Sequence, residues 1–228
     1  NFYITSEQAH RNGKMEKKYT DIIFDVDGTL IDTESVIINS LSELLEKRGM
    51  ERKPEDLSVV LGIPGVSGLR RLGFPEEEIP DTVREWLEMM DRHEPDIRVI
   101  DGITGLLDSL RDEGYRLGIV TSRDRRGVWE APSMQPLAGY FEIAVTQEET
   151  ERHKPYPDLI LCYARKAGTK PENVLYVGDS IYDMECAKAA GADAALAVWG
   201  APGAGREIAD LTPETPAELQ TILTGTRP

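Results

Sequence analysis

Cysteine is scarce in this chain: Cys162 and Cys186 are the only two in 228 residues, and they form no CxxC pair. That excludes a fold stapled by disulfides, and both read as buried, reduced thiols in helix-like stretches. Long apolar runs are also missing. Nowhere do about 18 consecutive apolar residues occur to span a membrane, and the N-terminus lacks the apolar core of a signal peptide. The expected location is the cytoplasm, with no membrane partner. Basic blocks are the third absence. A formal net charge of −15 and a pI near 4.7 argue against a grip on a nucleic-acid backbone and favour a small or metal-bridged ligand.

What is present suffices for a substantial core, since 40% of the residues are hydrophobic and the length suits one large domain or a core with a smaller companion. Short apolar runs bounded by turn signals recur at Asp21 to Val26, Tyr115 to Thr121, Phe141 to Val145, Asn173 to Val177 and Ala192 to Val198. Helix-period segments separate them. This alternation predicts an α/β fold, a parallel sheet with helices on both faces and ligands at the carboxyl ends of the strands. Between Leu30 and about Ile100 no strand-like run appears. Helical stretches fill the gap at Glu34 to Gly49, Pro54 to Leu61, Val66 to Gly73 and Pro75 to Arg92, which predicts an inserted helical subdomain. Residues 1–14 are polar and without period. They read either as a vector-derived leader or as a genuine flexible arm. After about Gly200 the chain is loop-rich, with TPAELQTIL a plausible terminal helix packing on the sheet.

Chemistry gathers at the strand ends. In IIFDVDGTLIDTE, Asp25 and Asp27 are one residue apart on an extended chain and point the same way. Two carboxylates sharing a site call for a cation, and Mg²⁺ suits hard oxygen ligands. An Asp-Gly hairpin is the plain alternative, but TLIDTESV continues as a helix entry instead of a partner strand. LYVGDSIYDM brings Asp179 and Asp183 to another strand end, although Ser180 and Asp183 also have the spacing of a helix capping box. RLGIVTSRD ends in Thr121 and Ser122, which either donate to an anion or cap a helix. In ERHKPYPD, Pro155 biases Lys154 towards an extended backbone, which places it on a stiff loop.

DVDGT, then Thr-Ser, then Lys-Pro before a helix, then the GDS and Asp183 spacing, in that order, resemble the haloacid dehalogenase-like superfamily from about Asp21 to Trp199. DVDGTLIDTES with HKPYPD is similar to its phosphoglycolate phosphatase and β-phosphoglucomutase-like branch. The resemblance implies a Rossmann-like core over residues 15–31 and 100–228, with an all-helical cap over 32–99. It further implies that Asp25 is a nucleophile forming an aspartyl-phosphate and that Asp27 is the acid and base. Asp25, the Asp27 carbonyl, Asp179 and, directly or through water, Asp183 would hold Mg²⁺. Thr121, Ser122 and Lys154 would hold the phosphoryl oxygens. Dehalogenases of the superfamily lack the second aspartate, so Asp27 favours phosphoryl transfer.

The implied activity is a Mg²⁺-dependent phosphatase acting on a small phosphorylated metabolite, phosphoglycolate-like or a sugar phosphate. A phosphomutase and a non-catalytic phosphate- or Mg²⁺-binding protein remain the alternatives, and monomer and homodimer are both open. GIPGVSG lacks the Gly-Lys-Ser/Thr of a P-loop and reads as a turn between cap helices facing the core. Ile63, Ser67, Arg70 and Arg71 are then candidates for substrate contact, although the two arginines read equally well as solvated helix charges. His93 and His153 show no metal-ligand spacing, and Trp199 and Gly200 carry no assigned role.

Overall fold

The computed structural model describes residues 18–61, 65–200 and 204–225. The expected leader and Ile63 lie outside the described residues. Strand β1 (Asp21–Phe24) is followed by the two-residue β2 (Ile31–Asp32) and by helices α1 (Glu34–Lys47), α2 (Pro54–Leu57), α3 (Gly65–Arg71) and α4 (Ile79–His93). Then come β3 (Arg98–Val99), α5 (Ile103–Asp112), β4 (Arg116–Val120), α6 (Arg125–Trp129) and β5 (Ile143–Val145). The chain continues through α7 (Asp158–Ala167), β6 (Val174–Gly178), α8 (Ile181–Ala190), β7 (Asp193–Leu196) and α9 (Pro216–Thr224).

Five strands form one sheet in the order β5-β4-β1-β6-β7, every described pairing within it parallel. β1 is central, and Ile22, Ile23 and Phe24 are fully buried, which explains why the strand is apolar without alternation. Ile22 and Phe24 join the core under α5 and α9, whereas Ile23 faces the layer of α7 and α8. The terminal helix is α9, and it packs on α5 with Leu219 buried in the core cluster that also holds Ile22 and Phe24 of β1.

Helices α1 to α4 enclose a separate cluster of Leu41, Leu44, Leu45, Leu69, Trp86 and Met89. Trp86 seats its indole N–H on Ser40 Oγ at 2.9 Å, so the buried donor is satisfied. The stretch from Leu30 to Ile100 does contain strands, contrary to expectation. β2 and β3 pair antiparallel, Ile31 with Val99 and Asp32 with Arg98, and tie the two connections of the helical insert to each other. Two residues are too few to show a period. The expected helix to Leu61 stops at Leu57 and tightens into a 3₁₀ turn at Ser58–Val60, where consecutive β-branched valines disfavour α-helix. α4 begins at Ile79 and not at Pro75, because Pro80 sits where a helix tolerates proline, in the first turn.

Candidate active site

Parallel strands deliver their carboxyl ends to one rim, and β1, β4 and β6 are neighbours there. Asp25 follows β1, and its amide N–H donates to Val177 O of β6 at 2.8 Å, which fixes its backbone to the sheet. Its carboxylate Oδ1 lies 2.7 Å from Lys154 Nζ, and the same ammonium lies 2.6 Å from Asp183 Oδ1. All three side chains are buried. Lys154 also sits 5.5 Å from the centroid of the Tyr176 ring, and the Tyr176 hydroxyl lies 2.9 Å from Asp183 Oδ1.

Asp183 occupies the first turn of α8 and forms the capping box as well. Its Oδ2 accepts from Ser180 N at 3.0 Å and Ser180 Oγ at 2.6 Å. The structural and electrostatic roles therefore coincide in one residue. Asp179 leans over the turn after Asp27. A Cβ built on Gly28 would meet Asp179 Oδ2 at 2.3 Å, and one on Gly200 would meet Gly28 O at 1.8 Å. Gly28 also has a φ of +69°, so glycine is required there twice over. Gly200 thus gains a role that its sequence context did not show: the loop after β7 presses on this turn, helped by Trp199 donating to Thr29 O at 3.1 Å.

Carboxylate oxygens of Asp25, Asp179 and Asp183 lie within 4.8 Å of one another. Burial pushes Asp25 up to about 7; Lys154 opposes this, and the charges of Asp183 and Asp27 reinforce it. Burial raises Asp179 well above the carboxylate range, with Asp183 and Asp25 adding to it. For Asp183 burial is outweighed by Lys154 and Ser180, which hold it low. Three carboxylates thus share one ammonium, and a hard divalent cation with oxygen ligands fits the surplus charge.

Asp27 does not join that cluster through its carboxylate. Arg123 grips it with a two-pronged contact, Nε to Oδ2 at 2.9 Å and Nη2 to Oδ1 at 2.7 Å, and Thr33 adds a side-chain hydrogen bond. Burial pushes the Asp27 carboxyl up, but Arg123 outweighs it and holds it below its ordinary value. Thr121 is buried at the end of β4, its Oγ1 accepting from Arg123 N at 3.1 Å, while Ser122 is exposed at the rim. Sequence reading missed Arg123, Tyr176 and Thr33. Only Arg123 left a signal, as a cation directly after the Thr-Ser strand end.

The remaining candidates lie elsewhere. Arg70 pairs with Glu76 at the surface, Nη2 to Oε2 at 2.8 Å, and Arg71 is exposed, so both match solvated helix charges. Ser67 is half-buried within α3, which matches the helical stretch expected over Val66 to Gly73 and not a turn running on to Gly68. His93 lies 3.2 Å from Glu43 Oε2, His153 Nε2 lies 2.8 Å from Gln147 O, and both cysteines are buried.

A sequence model of the haloacid dehalogenase-like hydrolases matches residues 22–197. The phosphoglycolate phosphatase of Aquifex aeolicus is 30% identical over 209 residues, 89% of this chain and 95% of that protein. The pyrophosphatase PpaX of Bacillus pumilus is 29% identical over 192 residues, 82% and 87% of the two chains. Among solved structures, a haloacid dehalogenase-like family hydrolase of Streptococcus pneumoniae superposes with a TM-score of 0.79 at 20% identity, covering 90% of this chain and 98% of that one.

Proposed function

The chain belongs to the haloacid dehalogenase-like hydrolase family, and within it we propose a Mg²⁺-dependent phosphatase of a small phosphorylated metabolite, with Asp25 carrying the phosphoryl group between two half-reactions. The observation that carries this reading is the single ammonium of Lys154 placed between Asp25 and Asp183, with Asp179 alongside. A carboxylate buried to that degree and short of cations is a nucleophile waiting for positive charge and an electrophile.

Asp25, the Asp27 carbonyl and Asp179 would hold the cation, with Asp183 in support, since both Asp183 oxygens already accept hydrogen bonds. When bound, Mg²⁺ offsets charge on the phosphoryl oxygens. An Asp25 oxygen attacks phosphorus, the bond to the leaving oxygen breaks, and Asp27 delivers a proton to that oxygen. Asp27 then takes a proton from water as the water attacks phosphorus, the Asp25–phosphorus bond breaks and Asp25 is restored. Lys154 and Thr121 are placed to hold the phosphoryl oxygens, as positioning and charge stabilisation dominate such transfers. The helical insert over 32–99 acts as a cap that excludes water and selects the substrate.

Phosphoglycolate and sugar phosphates head the substrates to be tried, with pyrophosphate added by the name of the Bacillus relative. Phosphate release from this panel, with Mg²⁺ and with EDTA, tests the reading. Metal-dependent release by wild type, absent in Asp25→Asn, is expected. Release that survives in a clean Asp25→Asn preparation would remove the mechanism.

A further inference from the structure

The sheet has two edges, and they are finished differently. Along β7 lies a later segment of the chain: Leu196 N donates to Leu211 O at 2.9 Å, and Asp210 N and Leu211 N donate to Ala194 O at 2.9 Å and 3.2 Å. Along β5 no described segment does the same. Thr121 N donates to Val145 O at 3.1 Å, so Val145 turns its polar groups towards β4, and by alternation along the strand Ala144 turns its N–H and C=O outwards. Among the described residues only Lys166 Nζ reaches that edge, 3.3 Å from Ala144 O, and it pairs with Glu149 as well. An open edge is a template for another strand, and a single lysine is a loose guard.

Beside this edge runs a groove of about 540 Å³, whose walls include Arg125, Trp129, Glu142, Ile143, Ala144 and Lys166. Two of these carry charge that no described residue answers. Glu142 is exposed directly before β5. Arg125 is exposed beside the other end, where its backbone N–H donates to Glu148 Oε2 at 2.8 Å and the Thr146 hydroxyl donates to the same oxygen at 3.1 Å. Among the described residues neither the Glu142 carboxylate nor the Arg125 guanidinium has an ion-pair or hydrogen-bond partner. A chain of net charge −15 repels its own copies over most of its surface. Here the charges at the two ends of one strand are opposite in sign, and that arrangement is self-complementary under a two-fold axis.

We propose that the β5 edge is the docking surface for a second copy of this chain, the two β5 strands pairing antiparallel about a two-fold axis at Ala144. Ala144 then exchanges both backbone hydrogen bonds with its mate. Lys166 leaves the Ala144 carbonyl and keeps Glu149. Antiparallel pairing sets position 142 of one copy opposite position 146 of the other, so Glu142 arrives at the Arg125 end of its mate, and the axis forms that ion pair twice. Trp129 and Ile143, half-buried in each copy, close over the joint. The docking does not depend on the phosphatase reading.

Sedimentation velocity of the full chain tests it, from about 1 to 200 µM and at roughly 0.15 M salt, where distant charges are screened. Wild type should move towards twice the chain mass as concentration rises. Glu142→Arg and Arg125→Glu, each alone, set like charges together and should weaken association roughly tenfold at each of two contacts, about 100-fold together. Combined, they exchange the signs and should return association to within about threefold of wild type. Ala144→Pro removes the outward N–H where an edge strand tolerates proline, and should leave a monomer. The charge variants carry the test if Ala144→Pro does not fold. Amide exchange at Ala144 should slow as the protein is concentrated. Wild type that stays monomeric over the whole range leaves the edge to another occupant or to water and overturns the proposal. So does a dimer that the single reversals or a folded Ala144→Pro leave intact, a swap that restores nothing, or an Ala144 amide whose exchange ignores concentration.

Discussion

Asp21 and Asp25 stand at the two ends of one short strand, both buried, and their surroundings are opposite. Asp21 is saturated: Arg116 pairs with it, Thr20 donates to it, and the Tyr163 hydroxyl donates to Oδ1 at 3.0 Å. Burial alone would raise its carboxyl, but these partners hold it below the ordinary value. Asp25 has one ammonium, shared with Asp183, and two anions close by. Burial takes it the other way, up to about 7. Two aspartates with equal claim to the core are therefore told apart by charge balance. The balanced end holds the fold, and the unbalanced end is where chemistry is expected.

The strongest way to break this comparison is to neutralise each end in turn. Asp25→Asn should lower turnover by roughly 10³-fold or more, as expected for a nucleophile. Its melting temperature should stay level or rise in EDTA, because one under-compensated anion has gone. A clear fall in melting temperature would show that the Asp25 carboxylate stabilises the fold, and the contrast would collapse. Asp21→Asn should do the reverse. It strands Arg116 against a neutral amide and should cost about 3 kcal/mol, read from urea unfolding, towards the low end for a broken buried pair because Arg116 is partly exposed. Turnover per folded molecule should match wild type.

A divalent cation sharpens the contrast further. Mg²⁺ at about 100 times its Kd should stabilise the protein by about 2.7 kcal/mol, a rise on the order of 5–10 °C. Asp179→Asn should lose most of that rise and Asp21→Asn should keep it. The same rise in both variants would place the ion away from the Asp25 end.

The Asp25 end was legible in the sequence because strand ends are local features. An apolar run that stops at Asp25, Thr121 or Asp179 announces its position without knowledge of the partners. The parallel sheet was legible for the same reason, from strands apolar on both faces. The partnerships were not. Arg123 reaches Asp27 across 96 residues, and in sequence it shows only as a cation after the Thr-Ser strand end, with nothing to name its partner. Tyr176 lies within an apolar strand, and only the packed structure shows its hydroxyl at Asp183. In the sequence Asp21 reads simply as the start of a strand. Nothing local distinguishes it from Asp25, since Arg116 and Tyr163 arrive from other elements.

The two ends should also differ in the sign of their pH dependence, at most about 1.4 kcal/mol per pH unit for each proton. Asp21 is more acidic folded than unfolded. Its stabilisation is present above the unfolded value of about 3.9 and is lost as pH falls towards the folded value. Asp25 is less acidic folded, so in EDTA the native state holds an extra proton between about pH 4 and 7. Stability from that source declines as pH rises through the window. Unfolding free energies measured in EDTA from pH 3 to 8 separate the two. Asp25→Asn should flatten the decline between pH 4 and 7, whereas Asp21→Asn should change only the acid limb. If Asp25→Asn left the decline intact, the anion excess would reside in other carboxylates and Asp25 would be as well compensated as Asp21.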